Sequence, residues 1–132
     1  MAERISAKEA WHALETNPQA VLIDVRTPEE WRVTGVPDLS AMARDVVLLT
    51  WNPYDAGAFA AALQRHVPDR QTPVYFICRS GARSQMTADL AEHLTYETSV
   101  NVVEGFEGPP DDTGRRGTVC GWQAENLPIR QV

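Results

Sequence analysis

Short apolar runs alternate along this chain with stretches of helical period. Val21-Leu22-Ile23, Val46-Val47-Leu48-Leu49, Val74-Tyr75-Phe76-Ile77 and Val100-Asn101-Val102-Val103 each read as a buried strand. Ser6-Ala7-Lys8-Glu9 is a capping box, in which serine and glutamate satisfy each other's backbone N–H, and it opens a helix with Ala10, Trp11 and Leu14 on its apolar face. Asn17-Pro18 ends that helix. Thr27-Pro28-Glu29-Glu30 is a second capping box, with proline at the first helical position, where its missing N–H costs nothing. Asp55 caps a third helix carrying Phe59, Ala62, Leu63 and His66 and stopped by Pro68. Ser84 to Leu94 repeats apolar residues at Met86, Leu90, Ala91 and Leu94, predicting a fourth. Strands alternating with helices predict an α/β fold: a central, mainly parallel sheet with helices on both faces. Val74–Ile77, apolar on both sides, belongs in its middle.

Between these elements lie two irregular stretches. Residues 35–44 hold the turn formers Pro37, Asp38 and Ser40. Residues 104–118 form a long loop rich in Gly, Pro and Asp, and loops of that length in compact domains are often functional. Gly121 to Asn126 reads as a last helical turn that packs Trp122 and ends at Asn126, a residue type that tolerates the left-handed conformation. No repeat, low-complexity tract or linker interrupts the 132 residues, which predict one domain with its core over residues 5–130.

Charge narrows the partners. The formal net charge is −6, from 18 acidic and 12 basic side chains, which disfavours nucleic acid or an anionic membrane as partner. Hydrophobic residues make up 43% of the chain, yet no apolar run approaches the roughly 18 residues of a membrane span. Met1 to Ser6 lacks the apolar core of a signal peptide, so a cytoplasmic location is the expectation. Cys78 and Cys120 are too few for a disulfide scaffold and lack the close pairing of a zinc site. His12, His66 and His93 are scattered on helices, as surface or packing residues. Asp111, Asp112 and Gly114 lack the ligand spacing of a calcium loop. Neither a metal nor a cofactor is called for.

Cys78 is where chemistry concentrates. It follows the third strand and precedes a helix, at the carboxyl edge of the sheet where open parallel sheets bind ligands. A thiol attacks as its thiolate, a form favoured by positive charge and by backbone N–H groups. Arg79 and Arg83 supply charge. The helix opening near Arg83 and Ser84 supplies unsatisfied N–H donors. Gly81 permits a turn that points successive N–H groups inward as an anion-binding nest. A buried strand-end cysteine followed by an ordinary polar turn is the bland alternative, and the run Cys78-Arg79-Ser80-Gly81-Ala82-Arg83-Ser84 argues against it.

That run resembles the active-site loop of single-domain rhodaneses, a family of sulfurtransferases. Val21-Leu22-Ile23-Asp24-Val25-Arg26-Thr27-Pro28-Glu29-Glu30-Trp31 is similar to the family's entry motif, and Gly121-Trp122 with Leu127-Pro128 to its closing segment. The resemblance implies a rhodanese-like fold and a Cys78 persulfide that carries sulfane sulfur. The donor would be a small anion such as thiosulfate, and the acceptor cyanide, a thiol or a sulfur-relay protein. It further implies that the N–H groups from Arg79 through Ser80, Gly81, Ala82 and Arg83 to Ser84 cradle the persulfide or the donor oxyanion, while Arg79 and Arg83 attract the donor. Two departures stand out. Thr34-Gly35-Val36-Pro37-Asp38-Leu39 replaces the family's G-H-I-P-G-A stretch, and the 104–118 loop replaces a much shorter turn. That loop leaves the sheet on the Cys78 edge and is placed to lie over the pocket.

Other residues receive structural roles. Asp24 and Arg26 pin their loop, with Glu30 close enough to pair with Arg26. Trp31, Trp51 and Trp122 belong to the core. Arg115 and Arg116 are a solvated loop that could widen the anion's approach, and Cys120 is a small buried residue or else a resolving thiol for Cys78. Two rival functions remain open: a rhodanese-like binding module without turnover, and a cysteine-dependent phosphatase or arsenate reductase. The latter class usually has one more residue between cysteine and arginine than the C-x4-R of Cys78 to Arg83, which makes a wider oxyanion loop. Loop length is therefore testable: inserting one glycine between Ala82 and Arg83 should lower thiosulfate:cyanide activity, because the N–H groups would no longer converge on one sulfur. Unchanged activity would count against a preorganised nest.

Overall fold

In the computed structural model, which describes residues 1–132, five parallel strands form one sheet. Their spatial order is β1 (Glu3–Ile5), β6 (Ser99–Val102), β5 (Val74–Ile77), β2 (Val21–Asp24) and β4 (Val47–Leu48). The helices are α1 (Ala7–Thr16), α2 (Pro28–Thr34), α3 (Ala56–His66) and α4 (Ala82–His93). A small antiparallel ribbon pairs β3 (Val36–Pro37) with β7 (Ile129–Arg130). The chain has an α/β fold with a central parallel sheet, as the alternation of patterns predicts. No helix is long and apolar enough to cross a membrane.

β5 lies between β6 and β2, and its side chains divide the interior. Val74 and Phe76 enter one apolar cluster with Phe59 and Leu63 of α3 and Ala88 and Ala91 of α4. Ile77 enters the other with Ala7, Ala10 and Leu14 of α1, and with Phe106 and Trp122. Period-two alternation on a doubly covered strand makes this division, since successive side chains face opposite ways. Trp122 is fully buried, edge-on to Trp11 at 5.8 Å, and its indole N–H donates to the Pro128 carbonyl at 2.7 Å. Asn126 adopts φ +55°, the left-handed conformation expected of it.

Both capping boxes form. Ser6 and Glu9 exchange bonds at the start of α1, as do Thr27 and Glu30 at the start of α2. Helix α4 begins at Ala82, two residues before the apolar periodicity starts, because Gly81 turns the chain at φ +103° and caps it. The edge strand β1 escapes the hydrophobic pattern entirely. Glu3 and Arg4 are exposed there, and parallel pairing with Val100 and Asn101 of β6 is what makes them a strand.

Arg26 is fully buried, and its partners correct one expectation. It pairs with Asp24, not Glu30: its Nη2 lies 2.7 Å from Asp24 Oδ2 and its Nε 3.0 Å from Oδ1. Nη1 also donates to Thr34 Oγ1 and Nη2 to the Gly35 carbonyl, both at 2.8 Å. The guanidinium also stacks 4.1 Å from the centre of the Phe106 ring. Five residues of chain after β2 place Glu30 on α2, turned toward a different arginine.

Removing one member of a buried pair strands the other charge, at a cost of about 3–5 kcal/mol. Arg26→Ala should lose that much in urea unfolding, while the apolar pair Asp24→Leu with Arg26→Met should recover a large part of it. A loss below about 1 kcal/mol in the single variant would show that water reaches the freed carboxylate.

Candidate active site

Strand β5 ends at Ile77 and α4 starts at Ala82, so residues 78–81 make the whole turn. Cys78 is buried, and two N–H donors and one hydroxyl converge on its sulfur. The Gly81 N–H lies 3.1 Å from Sγ, the Ser84 N–H 3.4 Å and the Ser84 hydroxyl 3.1 Å. The N–H groups of Arg79, Ser80, Ala82 and Arg83 meet no protein acceptor. Of the six amides from Arg79 to Ser84, two thus hold the sulfur and four stay available to an anion, at the positive end of α4. Chemically, the turn can stabilise a thiolate and an oxyanion beside it.

The two arginines of the loop differ. Arg79 is exposed beside exposed Ser80. Arg83 reaches out to α2, where it grips Glu30 in a bidentate pair at 2.7 and 2.9 Å. Burial pushes the Glu30 carboxyl up, but hydrogen bonds from Arg83 and Thr27, together with the Arg83 charge, outweigh that and hold it down to about 2. The Glu30 hydrogen bond in turn keeps Arg83 charged, with Cys78 and Asp24 within reach of its field. Sequence reasoning missed this partnership because the capping role of Glu30 is local, whereas Arg83 arrives from 53 residues away.

The long loop meets the turn through its base. Phe106 N–H donates to the Cys78 carbonyl at 2.8 Å, and Glu107 and Gly108 N–H to the Arg79 carbonyl at 2.9 and 3.1 Å. Gly105 is required here: it sits at φ +74°, and a Cβ would stand 2.7 Å from Ser80 N. Arg116 binds the Gly108 carbonyl at 2.7 Å, so it braces this base, while Arg115 is exposed. The tip is organised by Asp111, which accepts from Thr113, Thr118 and the Arg115 N–H.

Cys120 stands in the opposite setting to Cys78. Burial first, and then the Glu104 carboxylate beside it, push its thiol up. Both cysteines are free. The three histidines are exposed, Trp122 and Trp51 are buried and Trp31 is half-buried. No cluster of His, Cys, Asp and Glu is arranged to hold a metal ion. A surface concavity runs along α1 between Ser6 and Thr16, and no residue of the Cys78 turn lines it. Behind the sulfur lies Asn101, a buried polar residue on β6 whose side chain touches Ser84, Gly81 and Gln85. An asparagine inside an otherwise apolar strand was the signal for it.

Residues 3–131 match the family described as the STR4 middle domain. Among solved structures, the crystal structure of Rv0390 from M. tuberculosis superposes with a TM-score of 0.89 at 44% identity, covering 99% of this chain and 98% of that one. An uncharacterized protein of Rickettsia prowazekii, RP600, is 32% identical over 97% of each chain. The Rhodanese-like domain-containing protein 4, chloroplastic, of Arabidopsis thaliana is 26% identical over 93% of this chain and 24% of its own length.

The geometry separates the two arginines experimentally. Arg83→Ala should lower stability and thiosulfate:cyanide activity together. Arg79→Ala should mainly raise KM for thiosulfate, about ten- to a hundredfold at low salt, as loss of a charge-assisted bond would. An unchanged KM in Arg79→Ala would move the donor site elsewhere. The Glu30 carboxyl is depressed by folding, so its contribution is complete above its ordinary value of 4.5 and disappears as pH falls through about 2. The stability gap between wild type and Glu30→Gln, measured by urea melts, should therefore close across that window and stay constant above it.

Proposed function

The chain belongs to the STR4 middle-domain family and has a rhodanese-like fold, and from that premise we propose that it is a sulfurtransferase whose sulfur carrier is Cys78. The Cys78 thiolate attacks the outer sulfur of thiosulfate or of a persulfide donor. A new S–S bond forms, the donor's own S–S bond breaks, and sulfite or the donor thiolate leaves with the electron pair. Cyanide or a thiol then attacks the outer sulfur of the Cys78 persulfide, leaving as thiocyanate or a new persulfide and restoring the thiolate. A sulfur-relay protein is a second class of acceptor. A reducing compartment such as the cytoplasm suits two free thiols.

One observation carries this reading: the Gly81 and Ser84 N–H groups donate to Cys78 Sγ, the Ser84 hydroxyl lies 3.1 Å from it, and four further N–H groups of the same turn have no protein acceptor. Such preorganised donors stabilise charge on sulfur and on a bound oxyanion without reorganising during reaction. Exposed Arg79 adds the steering charge for an anionic donor, and the net charge of −6 disfavours nucleic acid or an anionic membrane as partner. The rhodanese-like name of the Arabidopsis relative agrees with this chemistry.

Intact mass after incubation with thiosulfate tests it. Wild type should gain the mass of one sulfur atom, mapped to Cys78 and lost on adding cyanide, and Cys78→Ser should gain nothing. A persulfide on Cys120 in Cys78→Ser, with activity retained, would overturn the assignment. Absence of any loading in wild type would favour the binding module without turnover.

A further inference from the structure

Ser84 Oγ touches two groups at once: it lies 3.1 Å from Cys78 Sγ and 2.6 Å from Asn101 Oδ1. A serine hydroxyl has one proton, so it can donate to only one of them. The surrounding network decides which. The Asn101 amide nitrogen faces the Gly81 carbonyl at 3.1 Å, an atom that only accepts. Its second proton goes to Gln85 Oε1 at 2.9 Å. Gln85 is itself fixed, because its amide nitrogen donates to the Asp89 carboxylate at 3.0 Å, which also accepts the Ala2 N–H at 2.7 Å. With acceptors anchoring both ends, neither amide can flip. Asn101 must present its oxygen to Ser84, and two oxygens at that separation need a proton between them. The hydroxyl proton therefore points away from sulfur, and Ser84 Oγ turns a lone pair to Cys78.

We propose that Asn101 is a positioning residue that acts through Ser84: by taking the serine proton, it makes Ser84 an acceptor for the Cys78 S–H and holds the resting nucleophile as a thiol. This builds on the reading of Cys78 as sulfur carrier and names the device that restrains it between turnovers. When Cys78 gives up its proton, the hydroxyl must swing to the sulfur and leave buried Asn101 Oδ1 without a donor. The Arg83–Glu30 and Arg26–Asp24 ion pairs are untouched in the comparison below.

Alkylation by iodoacetamide at a fixed neutral pH reads this device without any sulfur donor. Four proteins in a Cys120→Ser background are compared: the parent, Asn101→Leu, Ser84→Ala and the double variant. The Asn101 substitution also frees the Gly81 carbonyl, but it does so in both serine and alanine backgrounds, so the cycle cancels that effect. The rate ratio on introducing Asn101→Leu should be about three- to tenfold larger with Ser84 present than with alanine, since only a hydroxyl released from Asn101 can turn to the thiolate, and part of its gain is offset by weaker nucleophilicity. A ratio of one, or below one, overturns the proposal. Should the Asn101 variants not fold, the cysteine S–H stretching band keeps the question decidable. In the Cys120→Ser protein the band should be lowered by donation to Ser84 and should rise in Ser84→Ala. A band at the free-thiol position, or no band, overturns it equally. Loading by thiosulfate without the kinetic coupling removes the role of Asn101 alone, and coupling without loading removes the sulfurtransferase reading alone.

Discussion

Arg26 is sealed from water, and the partners that its buried guanidinium draws together organise the structure around the site. Its donors are spent on Asp24 at the end of β2, on Thr34 and Gly35 at the end of α2, and its face on Phe106 at the root of the long loop. Three segments distant in sequence are thereby held at the carboxyl edge of the sheet. Phe106 then passes the constraint to the Cys78 turn, since its N–H holds the Cys78 carbonyl at 2.8 Å. A cation with fewer directed donors could not bridge these elements, so lysine would not substitute.

The sulfur turn is held mostly by backbone. Carbonyls of Cys78 and Arg79 accept from Phe106, Glu107 and Gly108, while the N–H groups of Arg79 and Ser80 meet no protein acceptor. Glycines permit that approach: Gly81 turns the chain at φ +103°, and Gly105 lies so close to Arg79 and Ser80 that no side chain fits. Side chains then tune the site from three directions. Arg83 is committed to Glu30, Arg79 remains at the surface, and Asn101 reaches the sulfur indirectly through Ser84. The placement of charge also distinguishes the two thiols, because Cys120 faces Glu104 while Cys78 faces donors.

Local physics was legible along the chain. Both capping boxes, the proline at the start of α2, the doubly apolar β5 and the left-handed Asn126 depend on neighbours within a few residues, and each appears as its residue types dictate. The Cys78-to-Ser84 run was equally legible, because a turn between strand and helix is itself a local object. Contacts across the fold were not. Strand β1 has no hydrophobic pattern of its own and exists through pairing with β6. Arg26 is four residues from Glu30 and Arg83 is 53, yet the approach of α4 to α2 gives Glu30 the distant partner while Asp24 takes Arg26. Asn101 reads as one polar residue in an apolar strand until the register of β6 beside β5 brings it to Ser84. Sequence by itself determined the capped helices, the apolar strands and the strand-to-helix turn that carries Cys78, since those follow from spacings of one turn or less. Tertiary structure alone decided which charges pair and which way a buried hydroxyl points, because those depend on distances that only the packed sheet and helices set.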